Sequence, residues 1–178
     1  MDDDRIRIRP MAPADCDRVA EIRIGSWRSA YRGLIPQSYL DALDVAQDAE
    51  RRRGYFSQGD GSVVDLVAVR AGEIVGWACH GPYHDGEVRT EDVELYAIYV
   101  DPGRYGAGIG HALLQESVRR CTAAGRPRML LWVLKDNARA RRFYERAGFH
   151  ADGAEEPFEV EGVEVPEVRY TRELTPHR

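Results

Sequence analysis

Lysine is nearly absent. Lys135 is the single lysine among 25 basic residues, a bias that a GC-rich genome produces without any functional cause. Basic excess is missing as well. The chain carries 25 Lys+Arg against 30 Asp+Glu, a formal net charge of −5. This argues against nucleic acid as a partner, because sequence-independent binding needs a basic face. Cysteine is scarce: Cys16, Cys79 and Cys121 are odd in number and form no CxxC pair. Neither a disulfide framework nor a thiolate zinc site is written here, and a reduced, cytoplasmic setting is expected. Long hydrophobic runs are missing too. The longest stretches free of Asp, Glu, Lys and Arg are 11 residues, Ile74 to His84 and Tyr105 to Gln115. Both are too short and too rich in glycine to span a bilayer, so no membrane partner is expected. No apolar run follows Met1-Asp2-Asp3-Asp4-Arg5, so no signal peptide is expected.

What is present reads as a globular protein. With 178 residues, 43% of them hydrophobic and 31% charged, one domain over residues 1–178 is the default, large enough for a core without staples. Arg5 to Arg9 alternates arginine and isoleucine, a short strand. Pro13 suits the first turn of a helix, and Cys16, Val19, Ala20, Arg23, Trp27, Ala30 and Tyr31 recur at helical spacing up to Gly33. A short helix after Pro36 and a charged one over Ala46 to Phe56 follow. The period then changes. Val63 to Arg70 and Glu73 to Cys79 flank Ala71-Gly72, a hairpin signal. Gly81 to Asp92 reads as a polar loop, Val93 to Val100 as a strand, and Asp101 to Gly110 as a Gly-rich loop entering a helix that Gly125 and Pro127 stop. Met129 to Leu134 reads as a strand buried on both faces. A helix over Asn137 to Ala147 and a final hairpin turning at Glu161-Gly162 complete a mixed α/β order with one central sheet.

The segment Tyr105-Gly106-Ala107-Gly108-Ile109-Gly110-His111 is the most informative. Glycines let backbone approach a ligand, and the helix that follows brings its positive dipole end to the same place. Together they suit a pyrophosphate. A P-loop would need Lys-Ser/Thr after Gly110, where His111 and Ala112 stand. A Rossmann fingerprint would need an acidic residue about 20 residues further on, and Met129 to Leu134 contains none.

A second motif lies downstream. Asn137-Ala138-Arg139-Ala140-Arg141-Arg142-Phe143-Tyr144-Glu145-Arg146-Ala147-Gly148-Phe149 follows the loop, separated from it by one helix and one strand. With Gly108-Ile109-Gly110, this order resembles the GCN5-related N-acetyltransferase (GNAT) superfamily over Arg5 to Leu174. That family carries Gln/Arg-x-x-Gly-x-Gly/Ala after its fourth strand, then Asn, Phe-Tyr and Gly-Phe. Ser26 to Pro36 is also similar to the N-terminal helices of many bacterial members. One departure stands out. Tyr105 occupies the Gln/Arg position, which leaves a mainly backbone cradle intact.

The resemblance implies a single-domain α/β fold, a mixed sheet of about seven strands with the fourth and fifth splayed apart. It implies acetyl-CoA as co-substrate, no metal, and a small-molecule or peptide amine as acceptor, with room for a homodimer. The CoA arm would pair with the fourth strand around Ile98, Tyr99 and Val100. The Ile98 amide would polarise the thioester carbonyl. The pyrophosphate would lie on Tyr105, Gly106, Ala107, Gly108, Gly110 and His111. Asn137 would contact the CoA arm, a role compatible with capping its helix. Tyr144 would protonate the departing thiolate.

An acceptor ammonium must lose a proton before it attacks. Glu94 is the leading carboxylate. Period-2 alternation puts it on the face of Tyr96, Ile98 and Val100, and some family members place a base six residues before the strand-end valine, Val100. Glu91 and Asp92 compete with it. His80 and His84 have helical spacing, but Gly81 and Pro82 break any helix between them. The two instead read as loop histidines able to line an acceptor pocket. The acidic hairpin (Glu155, Glu156, Glu159, Glu161, Glu164 and Glu167) reads first as a solvated face and second as a lure for a cationic amine. Trp27, Tyr31 and Tyr39 read mostly as core, with one or two walling the acceptor site. Two rivals share the Gly-loop signal: a non-catalytic acyl-CoA-binding module on the same fold, and a nucleotide-binding α/β domain.

Overall fold

A computed structural model describes residues 4–174. Met1 to Asp3, on which the expectation about a signal peptide partly rests, lie outside the described residues. Seven strands form one sheet in the order β1-β2-β3-β4-β5-β7-β6. They are β1 (Arg7–Pro10), β2 (Val64–Arg70), β3 (Glu73–Asp85), β4 (Val88–Val100), β5 (Arg128–Leu134), β6 (His150–Val160) and β7 (Val163–Glu173). The helices are α1 (Cys16–Ala30), α2 (Gln37–Ala42), α3 (Val45–Gln58), α4 (Ile109–Ala123) and α5 (Ala138–Arg146).

Local chemistry sets the boundaries. Ala71 and Gly72 both take positive φ, 50° and 76°, as the tight β2–β3 turn requires. The Asp44 carboxylate accepts from the Gln47 amide at 2.8 Å and caps α3. Asn137 caps α5 in the same way, its Oδ1 accepting from the Ala140 amide at 3.2 Å.

The segment expected as a loop, Gly81 to Asp92, is instead a hairpin arm. β3 and β4 continue to pair as far as Asp85 opposite Val88, and Gly86 turns between them at φ 61°. The arm projects beyond the core and is exposed at its tip. Its polar residues therefore report solvent on both faces rather than the absence of a ladder. His80 and His84 accordingly sit on a strand.

Two apolar layers sandwich the sheet. On one face Cys16 and Val19 of α1 pack with Val67, Trp77 and Cys79, joined by Ala97 and Tyr99. On the other, Ile109 and Leu113 of α4 pack with Leu66, Ala68 and Ala78, joined by Ile98 and Val100. Further along that second face Leu114, Val118 and α5 Tyr144 close over Val93, Leu95 and Leu131. Each Leu, Ile or Val fully buried this way contributes about 1.5–3 kcal/mol. Gly76 on β3 lets α4 approach closely: a Cβ there would lie 2.9 Å from both Ile109 Cγ2 and Leu113 Cδ1.

The sheet is open at one seam. β4 and β5 run parallel but pair only at Val93 with Met129 and Glu94 with Leu130. Beyond those rungs the strands diverge, as the expected fold requires.

Candidate active site

The seam leaves one edge of β4 without a partner strand. The Asp101 amide donates to Val75 O on β3 at 2.9 Å. Peptide groups alternate along a strand, so those of Val100 and Ile98 point away from β3, into the opening. The Tyr99 peptide group faces β3, where Tyr99 pairs with Trp77. Tyr99 therefore reaches the site with its side chain. Ser26 of α1 is buried and donates to Val100 O at 2.8 Å, holding the strand end.

The glycine loop follows directly. Gly106 and Gly108 adopt φ 82° and 79°, and a Cβ on either would meet nothing within 4 Å. Gly108 is the N-cap of α4 and supplies no side-chain cap. The first helical bond is Ala112 N–H to Gly108 O at 3.0 Å. Among the described residues, none accepts from the amides of Tyr105 through His111. Unpaired amides at a helix N-terminus form an anion cradle. The loop is braced on both sides. Arg18 of α1 grips Asp101 at 2.7 Å, and Arg139 of α5 stacks on the Tyr105 ring with its Cζ 4.3 Å from the centroid. Gly110 packs towards Phe143, 3.4 Å from its would-be Cβ. The His111 side chain is exposed, as expected.

Tyr144 approaches from the α5 side, packed edge-on against Phe143 and Phe149 with ring centroids 5.3 and 6.1 Å apart. Among the described residues its hydroxyl has no hydrogen-bond partner. Burial, followed by the nearby Tyr99 hydroxyl, pushes its pKa up, so it holds its proton at neutral pH. Tyr31, the C-cap of α1, is raised as well, by burial and then by Tyr99, with Tyr144 and Glu167 also acting on it. Tyr144 comes from one face of the sheet and Tyr31 from the other. Their hydroxyls can be neighbours because the sheet is open between β4 and β5.

Glu94 requires a correction. Cys79 pairs with Ala97 while the next residue, His80, pairs with Leu95. Tyr96 is therefore the extra residue of a β-bulge. The alternation slips by one, and Glu94 does not share a face with Ile98 and Val100. Its neighbours Val93 and Leu95 are buried with Ile98 on the α4 side, so Glu94 points to the α1 side, with Ala97 and Tyr99. There its pKa is pushed up to about 7, by burial first and then by the charges of Glu167 and Glu156. The Glu167 carboxyl is raised likewise, by burial and then Glu156. Of the competing carboxylates, Glu91 is exposed and Asp92 is held by Arg128 at 2.7 Å.

Several residues of this site escaped the sequence. Glu156 and Glu167 pair across β6 and β7; Glu167 is half-buried and faces the site, so the solvated-face reading fails for it, while Glu156 stays exposed beside it. That reading holds for the exposed Glu155, Glu156, Glu159, Glu161 and Glu164. Phe158 meets the Trp27 ring edge-on at 6.4 Å, and Tyr31 and Tyr39 lie 4.9 and 6.2 Å from it. An apolar residue in so acidic a strand was the available signal for Phe158. His80 does not line this pocket; it is buried on the α4 side.

Comparison with known proteins defines the class. The model of the acetyltransferase (GNAT) family matches residues 24–149, and the chain belongs to that family: it is an acetyltransferase. It is 30% identical to the uncharacterised N-acetyltransferase YuaI of Bacillus subtilis over 163 residues, 92% of this chain and 90% of the relative. Two solved structures share the fold. The PaiA N-acetyltransferase of Thermoplasma acidophilum, in complex with coenzyme A, superposes with a TM-score of 0.74 at 19% identity, covering 95% of this chain and 99% of its own. YncA of Salmonella typhimurium, with its cofactor acetyl-CoA, gives 0.70 at 22% identity, covering 97% and 95%.

Proposed function

We propose that this enzyme transfers an acetyl group from acetyl-CoA directly to a primary amine within a ternary complex. The observation that carries this reading is the meeting, at one opening in the sheet, of an amide cradle and a Tyr144 hydroxyl that have no partner among the described residues, and a half-buried Glu94. The open β4 edge and the free amides suit the co-substrate without any change of backbone. Acetyl-CoA, when bound, supplies an acyl group activated as a thioester.

The amides of Tyr105, Gly106, Ala107, Gly108, Gly110 and His111 hold the pyrophosphate, aided by the α4 dipole. The peptide groups of Ile98 and Val100 pair with the pantetheine arm as an added strand would. The Ile98 N–H polarises the acyl carbonyl. Asn137, already the cap of α5, offers its side-chain amide group to the same arm. Glu94 takes the proton from the acceptor ammonium, directly or through water. A carboxylate whose pKa is pushed up to about 7 is matched to that task at neutral pH. Tyr144 gives its proton to the departing sulfur. Glu156 and Glu167 draw the cationic acceptor in, and Trp27, Tyr31, Tyr39 and Phe158 wall its apolar part.

Direct transfer is favoured over a covalent acyl-enzyme by the state of the thiols. Cys16, Cys79 and Cys121 are buried, and burial raises all three thiol pKa values, which suppresses the nucleophilic thiolate. Unpaired, buried thiols also fit a cytoplasmic location. A module that only binds acyl-CoA needs neither the Tyr144 hydroxyl nor the Glu94 carboxylate.

The test is a screen of amine acceptors that reads released CoA thiol, followed by initial velocities with both substrates varied. Intersecting lines are expected. Parallel lines would indicate a covalent intermediate instead.

A further inference from the structure

Across the sheet from Glu94, where α4 ends against β3 and β4, a second cleft of about 290 Å³ opens. Arg89, Arg120, Arg126, Thr90 and His80 line it together with Asp92. Arginines outnumber acids around it, with Asp60 near Arg89 as the other carboxylate beside Asp92. Among the described residues Arg89 and Arg126 have no acidic partner within salt-bridge distance. Arg120 meets Glu116 through Nε at 2.8 Å, which leaves its terminal nitrogens unpaired. The Asp92 carboxylate is already taken by Arg128 at 2.7 Å.

His80 is the second, independent observation. The residue is 4% exposed, its Nδ1 is fully buried without a hydrogen-bond partner, and Nε2 also has none among the described residues. A buried polar ring with no partner is costly and calls for one. Burial, with Arg120 adding to it, pushes its pKa down to about 4, so the ring is neutral and can offer an N–H. Three arginines and an imidazole donor lining one concavity suit a ligand that accepts hydrogen bonds and carries negative charge.

We propose that this cleft binds a small multiply charged oxyanion, phosphate-like or polycarboxylate, at a site separate from the glycine loop. The site backs onto the bulge described above, since His80 pairs with Leu95 where the β3–β4 register shifts.

Calorimetric titration in a phosphate-free buffer near neutral pH tests this, with inorganic phosphate and citrate as separate probes. Titrations are run with and without saturating CoA, which occupies the glycine loop and removes any anion bound there. One site that survives CoA is expected for at least one probe. Phosphate alone would mark a phosphate or phosphoester site, and citrate alone a polycarboxylate site. Charge-assisted hydrogen bonds set the scale: the Arg89→Gln/Arg126→Gln double variant should bind roughly 10- to 100-fold more weakly. His80→Phe keeps an aromatic ring at this position, removes both nitrogens and should also weaken binding. Even without CoA binding the variants still locate the anion, so failure of the acetyl-CoA reading remains distinguishable. No binding of either probe, or undiminished affinity in the double variant, would overturn the proposal.

Discussion

Glu94 and Tyr99 occupy the same face of β4 although an odd number of positions separates them. In a regular strand they would point to opposite faces. The extra residue Tyr96, bulged opposite the Cys79–His80 step, reverses the alternation between them. Below the bulge Glu94 turns to the α1 side. Above it Ile98 keeps its side chain in the α4 layer and its peptide group at the seam. One inserted residue thus brings the Glu94 carboxyl, the proposed base, and the unpaired edge of β4, the proposed thioester-binding edge, to a common opening.

Tyr144→Phe removes one hydroxyl and leaves the ring packed against Phe143 and Phe149. General acid–base groups contribute about 10²–10⁴-fold in rate, so kcat should fall by that order while CoA affinity holds. Steady-state kinetics together with a CoA titration measure both. Unchanged kcat, in an assay limited by chemistry, would remove Tyr144 from the mechanism.

Gly108→Val forces a β-branched residue into φ 79°, a left-handed conformation that costs an L-residue roughly 1–2 kcal/mol or more. The new side chain meets no protein atom within 4 Å, so the fold should survive with a modestly lower Tm. It projects beside the free amides of the cradle, and CoA binding should be lost. Circular dichroism and calorimetry read the two effects separately. Wild-type affinity in the folded variant would refute the cradle.

Gly76→Ala places a Cβ 2.9 Å from Ile109 and Leu113 side-chain atoms and 3.2 Å from the Tyr99 carbonyl oxygen. Overpacking of this kind typically costs about 1–3 kcal/mol. Ile109 opens α4, so the displaced helix start should weaken CoA binding too. Thermal melts with and without CoA check this. An unchanged Tm would mean that α4 does not rest on β3 as closely as described.

Glu94 is also a stability determinant. An unfolded chain releases its proton near the ordinary 4.5, whereas the folded chain holds it to about 7. The native state is therefore favoured by this proton below about 4.5, and that advantage is lost as pH rises through 7. Glu94→Gln should stabilise the protein above pH 7 by about 1–3 kcal/mol, after allowing for the solvent that reaches the group. The gain should vanish below about 4.5. Denaturation across this pH range reads it; a gain that is independent of pH would contradict the buried carboxylate.

Much of this was legible in the sequence because local rules and tertiary structure agree. Gly108 and Gly110 before an apolar helix, Asn137 before α5, and the turn residues Ala71-Gly72 and Glu161-Gly162 each state their own conformation. The β3–β4 arm was not legible, because its exposed residues lack the alternation that a buried face imposes. The Tyr96 bulge was hidden for a related reason. Tyr and Ala at positions 96 and 97 fit either face, and only the pairing with Cys79 and His80 reveals the slip. Glu167 sits among glutamates of the same kind, and its place in the site depends on β7 pairing with β5 next to the seam.

The most direct test is the pH dependence of kcat/KM for wild type and Glu94→Gln with one identified amine. The wild-type rate should rise as pH passes about 7, where Glu94 loses its proton, and then level. The variant should lack that inflection, should be most impaired where the amine is fully protonated, and should recover towards the amine's own pKa. Profiles that superimpose would contradict the assignment of Glu94 as the base, and with it the account of how this site activates its acceptor.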